Sequence, residues 1–119
     1  MHELSVCQAL ISQVEILARE QGARRVLSVA LGIGPLSGVE PHLLEQAYPL
    51  AAAGTVAEDS TLSIDEQPIR VHCDQCGRDS DASASCLVCS HCGNWRTTLT
   101  SGDELILMQV EFVREQAYV

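Results

Sequence analysis

Aromatic side chains are almost missing from this chain: one Trp, two Tyr and one Phe in 119 residues, or 3%. Any core must therefore be built from Leu, Val, Ile and Ala, and an apolar content of 46% supplies enough of them for one modest domain with a small appended unit. No uninterrupted apolar run approaches the roughly 20 residues of a membrane-spanning helix, so no membrane association is expected. The opening Met1-His2-Glu3 lacks the basic start and apolar stretch of a secretory leader, which points to the cytoplasm. Cationic side chains are scarce: seven Lys plus Arg stand against sixteen Asp plus Glu, a formal net charge of −9. Phosphate backbones repel such a chain, so no nucleic acid partner is expected, and a cation or a basic protein surface fits better. No nucleophile–base pair and no phosphate-cradling glycine loop stands out, so a carrier is expected rather than an enzyme.

Cysteine, in contrast, is abundant. Two Cys-x-x-Cys-Gly knuckles, Cys73-Asp74-Gln75-Cys76-Gly77 and Cys89-Ser90-His91-Cys92-Gly93, each put two thiols on one tight turn. Glycine after the second cysteine can take φ > 0 and let backbone amides turn toward sulfur. In a reducing compartment such pairs read as a metal site rather than as disulfides, and four soft ligands suit a closed tetrahedral zinc centre. A thioredoxin-like motif would occur once, after a strand and at a helix start, whereas this one occurs twice in a polar loop. A third cysteine, Cys86, creates a competing register. Cys89 with Cys92 leaves twelve residues between the knuckles and Cys86 with Cys89 leaves nine. The longer spacing is nearer the zinc-ribbon range of roughly 15–20, and Gly93 repeats the place of Gly77. The expected zinc ligands are therefore Cys73, Cys76, Cys89 and Cys92, with Cys86 a spare exposed thiol. Four thiolates and one Zn²⁺ together add −2, taking the net charge from −9 to −11. His72 and His91 flank a set that is already complete and read as exposed neighbours. Cys7 falls on an apolar helix face and reads as a small buried hydrophobe.

Apolar periodicity over residues 4–20, from Leu4, Cys7, Leu10 and Ile11 through Val14, Leu17 and Ala18, predicts an amphipathic helix. Leu27, Val29, Leu31 and Ile33 alternate as one face of a strand over 26–33. A second helix is expected from about Glu40 to Ala53, with Pro41 at its first position and a stripe of Leu43, Leu44, Ala47, Leu50 and Ala51. Pro49 is expected to kink it or end it early. Thr61–Glu66 reads as a short strand. Glu104–Val113 reads as another, with Ile106, Met108, Val110 and Phe112 on one face. Residues 73–101 hold almost no large apolar side chains and cannot order themselves without a cross-link. The expected fold is α+β: a small mixed sheet with two helices over 1–70 plus 104–119, and an inserted zinc-ribbon-like domain over 71–103.

The amino terminus carries a second metal-binding chemistry. A histidine at position two lets the Met1 amine, the His2 backbone nitrogen and the His2 imidazole chelate one ion in fused rings, with Glu3 completing or orienting the sphere. A nitrogen-rich planar set favours Ni(II) or Cu(II) over zinc. Alone, the tripeptide reads as a polar tail. It gains weight from a resemblance that spans nearly the whole chain. The opening Met1-His2-Glu3-Leu4-Ser5, the turn Ile33-Gly34-Pro35-Leu36-Ser37-Gly38-Val39-Glu40-Pro41, Gly54-Thr55, Ala57-Glu58, the strand near Leu62-Ser63-Ile64 and the two knuckles resemble the HypA/HybF family of hydrogenase maturation factors. The resemblance implies a nickel metallochaperone with a structural zinc at the four cysteines and transient Ni(II) at His2, helped by the Met1 amine and Glu3. An acidic residue near Glu40 approaches the nickel in some relatives. It also implies a nickel-handling maturation GTPase and the [NiFe]-hydrogenase large subunit as partners; the chain itself is expected to be a monomer or weak homodimer. Ser90 departs from the proline common in the family after the first cysteine of the second knuckle. Two other readings of the knuckles are a rubredoxin-like iron electron carrier and a nucleic-acid-binding zinc ribbon.

Overall fold

The computed structural model describes residues 2–114. In chain order the elements are α1 (Glu3–Glu20), β1 (Ala23–Ile33), α2 (Pro41–Ala52), β2 (Thr61–Glu66), β3 (Arg70–Cys73), β4 (Asp79–Asp81), β5 (Thr97–Ser101) and β6 (Leu105–Arg114). The strands form two three-stranded sheets, ordered β2-β1-β6 and β4-β3-β5. The chain divides into two compact units. One gathers the described residues up to Leu31, Val39–Ile64 and the described residues from Leu107 on; the other takes Gly32–Gly38 and Asp65–Ile106.

In the first unit α1 buries Val6, Cys7, Leu10, Ile11, Val14 and Ala18, the three- and four-residue rhythm of a single helix face. Cys7 is fully buried, as its place on that face predicts, and its thiol donates to the Leu44 carbonyl of α2 at 3.5 Å. Glu3 Oε2 accepts from the Glu40 amide at 3.3 Å. Position 3 meets 40 and position 7 meets 44, so the two helices run parallel with their first turns side by side. Glu40 N-caps α2 by accepting from the His42 amide at 3.3 Å, and Pro41 follows at the first helical position.

The stripe of α2 lies one step from the expected one. Leu44, Tyr48 and Ala52 are buried, whereas Leu43 and Leu50 are 46% and 74% exposed. Tyr48 carries the difference. Its hydroxyl lies 2.6 Å from Ser60 Oγ, so the ring can go inside with its polar end satisfied. Burial raises the Tyr48 pKa, although the Ser60 contact opposes it. Pro49 does not end the helix early, since α2 runs on to Ala52. It sits on the exposed side, where the Glu45 carbonyl that loses a partner can meet water, and its own carbonyl accepts the Ala53 amide at 3.1 Å.

Strand β1 corrects a second expectation. Val29, Leu31 and Ile33 are buried as predicted, but Leu27 is 42% exposed and Val26 takes its place inside. The buried pair Val26 and Val29 are three residues apart, so the inward–outward phase slips between them. At that end the Val26 amide bonds the Val56 carbonyl, at 2.9 Å, rather than continuing a regular ladder. On β6, which forms one edge of its sheet, Val110 and Phe112 are half-buried, but Ile106 and Met108 are exposed despite their shared face.

The second unit is built on β3, which pairs antiparallel with β4 on one side and β5 on the other. Its apolar core is small, with Ile69 and Val71 buried beside Cys73 and Cys89. Two side-chain contacts cross the β3–β4 ladder, the ion pair Arg70–Asp81 at 2.6 Å and the hydrogen bond between His72 Nδ1 and Asp79 at 2.7 Å. Their side chains are largely exposed, so each is worth less than about 1 kcal/mol. The Gly32–Gly38 segment is stitched to the turn after β5: the Gly34 amide bonds the Glu104 carbonyl at 2.9 Å and the Leu36 amide bonds the Gly102 carbonyl at 2.7 Å. A Cβ at Gly34 would stand 2.1 Å from the Gly102 oxygen, so only glycine fits there.

Candidate metal centre

The two knuckles fold alike. The Cys73 amide bonds the Arg78 carbonyl at 2.9 Å and the Cys89 amide bonds the Asn94 carbonyl at 3.0 Å. The Gly77 amide closes onto the Cys73 carbonyl at 3.0 Å, and Gly93 onto Cys89 at 2.8 Å. Both glycines have positive φ, 74° and 77°, which a side chain would make costly. The turn aims amides at the first sulfur of each pair. Cys76 N donates to Cys73 Sγ, and His91 N and Cys92 N to Cys89 Sγ, each at 3.4 Å.

These turns bring four sulfurs, those of Cys73, Cys76, Cys89 and Cys92, within 4.8 Å of one another. Cys73 and Cys92 approach to 3.6 Å, as do Cys76 and Cys89. A tetrahedron with metal–sulfur bonds of about 2.3 Å has edges of about 3.8 Å, so the donor set fits zinc. Cys73 and Cys89 are buried, Cys76 and Cys92 exposed. Among the described residues no other cluster of three or more metal-binding side chains meets the same geometry.

The thiols divide by position in the turn. Backbone donation from Cys92 and then His91 outweighs burial at Cys89 and lowers its pKa to about 6. Cys73 is lowered in the same way, chiefly by the Cys76 amide. At Cys92 the Asn94 amide pulls downward, but the sulfur of Cys73, burial and Cys89 together push the thiol up to about 11. Cys76 is also raised: burial and the neighbouring sulfurs Cys73 and Cys89 override the Arg78 amide. Without metal, each turn therefore pairs a thiolate-favouring first cysteine with a proton-retaining second one.

Cys86 stays out of the cluster. It is exposed and bridges antiparallel to Ser83, with bonds of 3.3 and 3.1 Å. His91 is exposed and lends only its backbone amide, while His72 is engaged by Asp79. Trp95 is 73% exposed with the Arg96 guanidinium 5.3 Å from its ring centre, so it provides no apolar cover of the kind a rubredoxin iron needs. Ser80 gave no signal in the sequence, lying in the polar run Asp79-Ser80-Asp81, yet it is buried and its hydroxyl accepts from the Ser90 amide at 3.2 Å.

At the amino terminus His2 is exposed and occupies the N-cap of α1 with extended backbone, but its ring does not cap the helix. Its carbonyl accepts from the Val6 amide at 3.2 Å. Glu3 is half-buried and holds the Glu40 amide through one oxygen. The Met1 amine lies outside the described residues.

The fold and its sulfurs define a small two-helix α+β protein carrying a four-thiol zinc-type centre, and known proteins match the chain along nearly its whole length. A family model described as "Hydrogenase/urease nickel incorporation, metallochaperone, hypA" matches residues 1–112. A hydrogenase maturation factor HypA from Nitrosospira multiformis is 53% identical over 113 residues, 95% of this chain and 98% of that protein. Another from Aquifex aeolicus is 40% identical over 111 residues, 93% and 96% of the two chains. The solution structure of the Ni metallochaperone HypA from Helicobacter pylori superposes with a TM-score of 0.72 at 28% identity, covering 97% of this chain and all of that one. The chain belongs to the HypA family of nickel-incorporating maturation factors. That membership agrees with the resemblance carried by the opening tripeptide, the glycine-rich turn and the knuckles, and favours nickel handling over the iron and nucleic-acid readings.

Proposed function

We propose that this chain is a non-catalytic cytoplasmic carrier that takes up Ni(II) at its amino terminus and passes it to a [NiFe]-hydrogenase large subunit, together with a nickel-handling GTPase. Zinc held by Cys73, Cys76, Cys89 and Cys92 keeps the 71–103 region folded, and the nickel-binding part comprises 1–70 and 104–119. The protein acts as a monomer or weak homodimer.

The observation that carries this reading is the placement of His2. Its imidazole is exposed at the start of α1 and takes no part in capping the helix, so it is available to an ion together with the adjacent backbone nitrogen and the Met1 amine. Glu3 keeps one carboxylate oxygen beyond the one that holds Glu40. A transferable ion is best kept at a chain end, where ligands can be exchanged without opening a core. Because protons compete for the amine, imidazole and amide, nickel affinity falls as pH falls. Titration of wild type and His2→Ala with Ni(II) tests the site. Loss of one chelating imidazole is expected to weaken binding by more than about tenfold, beyond the low end of supporting-residue effects at metal sites. Equal affinities would remove the N-terminal site.

A further inference from the structure

The two knuckles are alike within themselves but not in what holds them. In the first, Cys73 is the last residue of β3 and pairs with Thr97 of β5. The next amide, that of Asp74, bonds the Arg96 carbonyl at 2.9 Å, so main chain holds main chain. The second knuckle lies outside any strand. Its equivalent amide, that of Ser90, has a side chain for an acceptor: Ser80 Oγ on β4, at 3.2 Å. A further tether precedes it, from the Thr97 hydroxyl to the Leu87 carbonyl at 2.6 Å, in an exposed setting. Ser80 is the one buried polar or charged residue among those described. On β4, with burial running exposed–buried–exposed, it spends its inward position on a hydroxyl aimed at this turn rather than on an apolar group.

We propose that Ser80 is the latch of the second knuckle, a positioning residue through which Cys89 and Cys92 are kept over the first pair, and that zinc is released by opening this half of the site first. The proposal rests on the reading of the four sulfurs as a zinc site. A hydroxyl suits a latch: it satisfies the Ser90 amide when the turn is seated, and water can take its place when the turn lifts. Cys73 and Cys76 stay anchored by the β3–β5 ladder during that movement, so they hold the ion last.

Three measurements on zinc-loaded full-length protein test this. Transfer of zinc to a colorimetric chelator is expected to be about tenfold faster in Ser80→Ala, the rate equivalent of one lost hydrogen bond of ordinary strength, and to slow again in Ser80→Thr, which keeps the hydroxyl. Amide exchange at Ser90 is expected to accelerate in Ser80→Ala while that at Asp74 is unchanged. During chelation of the wild type, alkylation followed by mass spectrometry is expected to reach Cys92 before Cys76, both of which are exposed, with Cys86 reacting from the start as the internal standard. A wild-type release rate in Ser80→Ala, or a threonine variant as fast as the alanine one, overturns the latch. Alkylation of Cys76 first overturns the order of opening, and that result needs no variant to fold. Wild-type protein that takes up no zinc overturns the four-sulfur reading and the latch with it, a failure seen before any variant is compared.

Discussion

Cys86 and Cys92 differ little as residues in the sequence, since each is three positions from Cys89, and the fold separates their fates. Cys92 ends a Cys-x-x-Cys-Gly turn whose glycine has positive φ, and its sulfur lies 3.6 Å from Cys73. Cys86 is tied to Ser83 by a two-bond bridge that leaves its thiol exposed. Cys86→Ser is therefore expected to keep one zinc per chain by elemental analysis. Cys92→Ser, which deletes one of the four proposed ligands, is expected to cost more than about 100-fold in zinc affinity, above the range for supporting residues. Equal zinc content and affinity in the two variants would break the assignment. This distinction was legible beforehand, because Gly93 after Cys92 announces the turn and Ser90 after Cys89 does not. Ser80 was illegible. A serine between two aspartates looks like solvent-facing strand, and only the pairing of β3 with β4 puts it beneath the second knuckle.

At the scale of the turn, backbone donors and neighbouring sulfurs together sort the thiols. In each knuckle the first sulfur is lowered by two amides, whereas the second takes one amide, from Arg78 or Asn94, and is raised by burial and the sulfurs crowding it. Cys89 at about 6 is mostly ionised at neutral pH, whereas Cys92 at about 11 and the raised Cys76 carry protons. Zinc requires all four as thiolates. Binding at pH 7 is therefore expected to expel at least the protons of Cys76 and Cys92, measurable by calorimetry in buffers of different ionisation enthalpy. Affinity should rise with pH from about 6 toward 11 and fall on acidification. Release of fewer than about two protons at pH 7 would contradict the sorting. Among the elements, α1 was predicted almost to the residue because its apolar rhythm is strong and unbroken. The face of α2 was misjudged because Tyr48 counts as polar until Ser60 is found within reach of its hydroxyl. The phase slip in β1 depends on an amide bonding the distant Val56, which no local pattern records.

For the whole molecule, the two units depend on different forces. Both helices, and the apolar residues they bury, belong to the first. The second has little apolar core, and a structural zinc is worth roughly 10–16 kcal/mol in small peptides, comparable with the stability of an entire domain at about 5–15. Strong chelation is therefore expected to abolish amide protection through β3, β4 and β5 while the far-ultraviolet helical signal of α1 and α2 persists. Joint loss of both would show that metal supports the helices too. The α+β class was legible in the periodicity of the helices and strands, and the four-cysteine cluster in the spacing of the knuckles, set in a stretch of Ser, Asp, Cys and Gly with little to bury. The exposure of Ile106 and Met108 did not follow, since a strand's alternation does not tell whether it lies at a sheet edge.

The parallel run of α1 and α2 has one more effect. Each helix start carries about half a positive elementary charge from its aligned peptide dipoles, and here two such starts sit side by side, at Glu3 and Glu40. A divalent cation arriving beside them meets that field, which the two carboxylates offset. If His2 holds Ni(II) as proposed, the two positive helix starts weaken the pull of the carboxylates beside it, which favours an ion held firmly enough to travel and loosely enough to be surrendered.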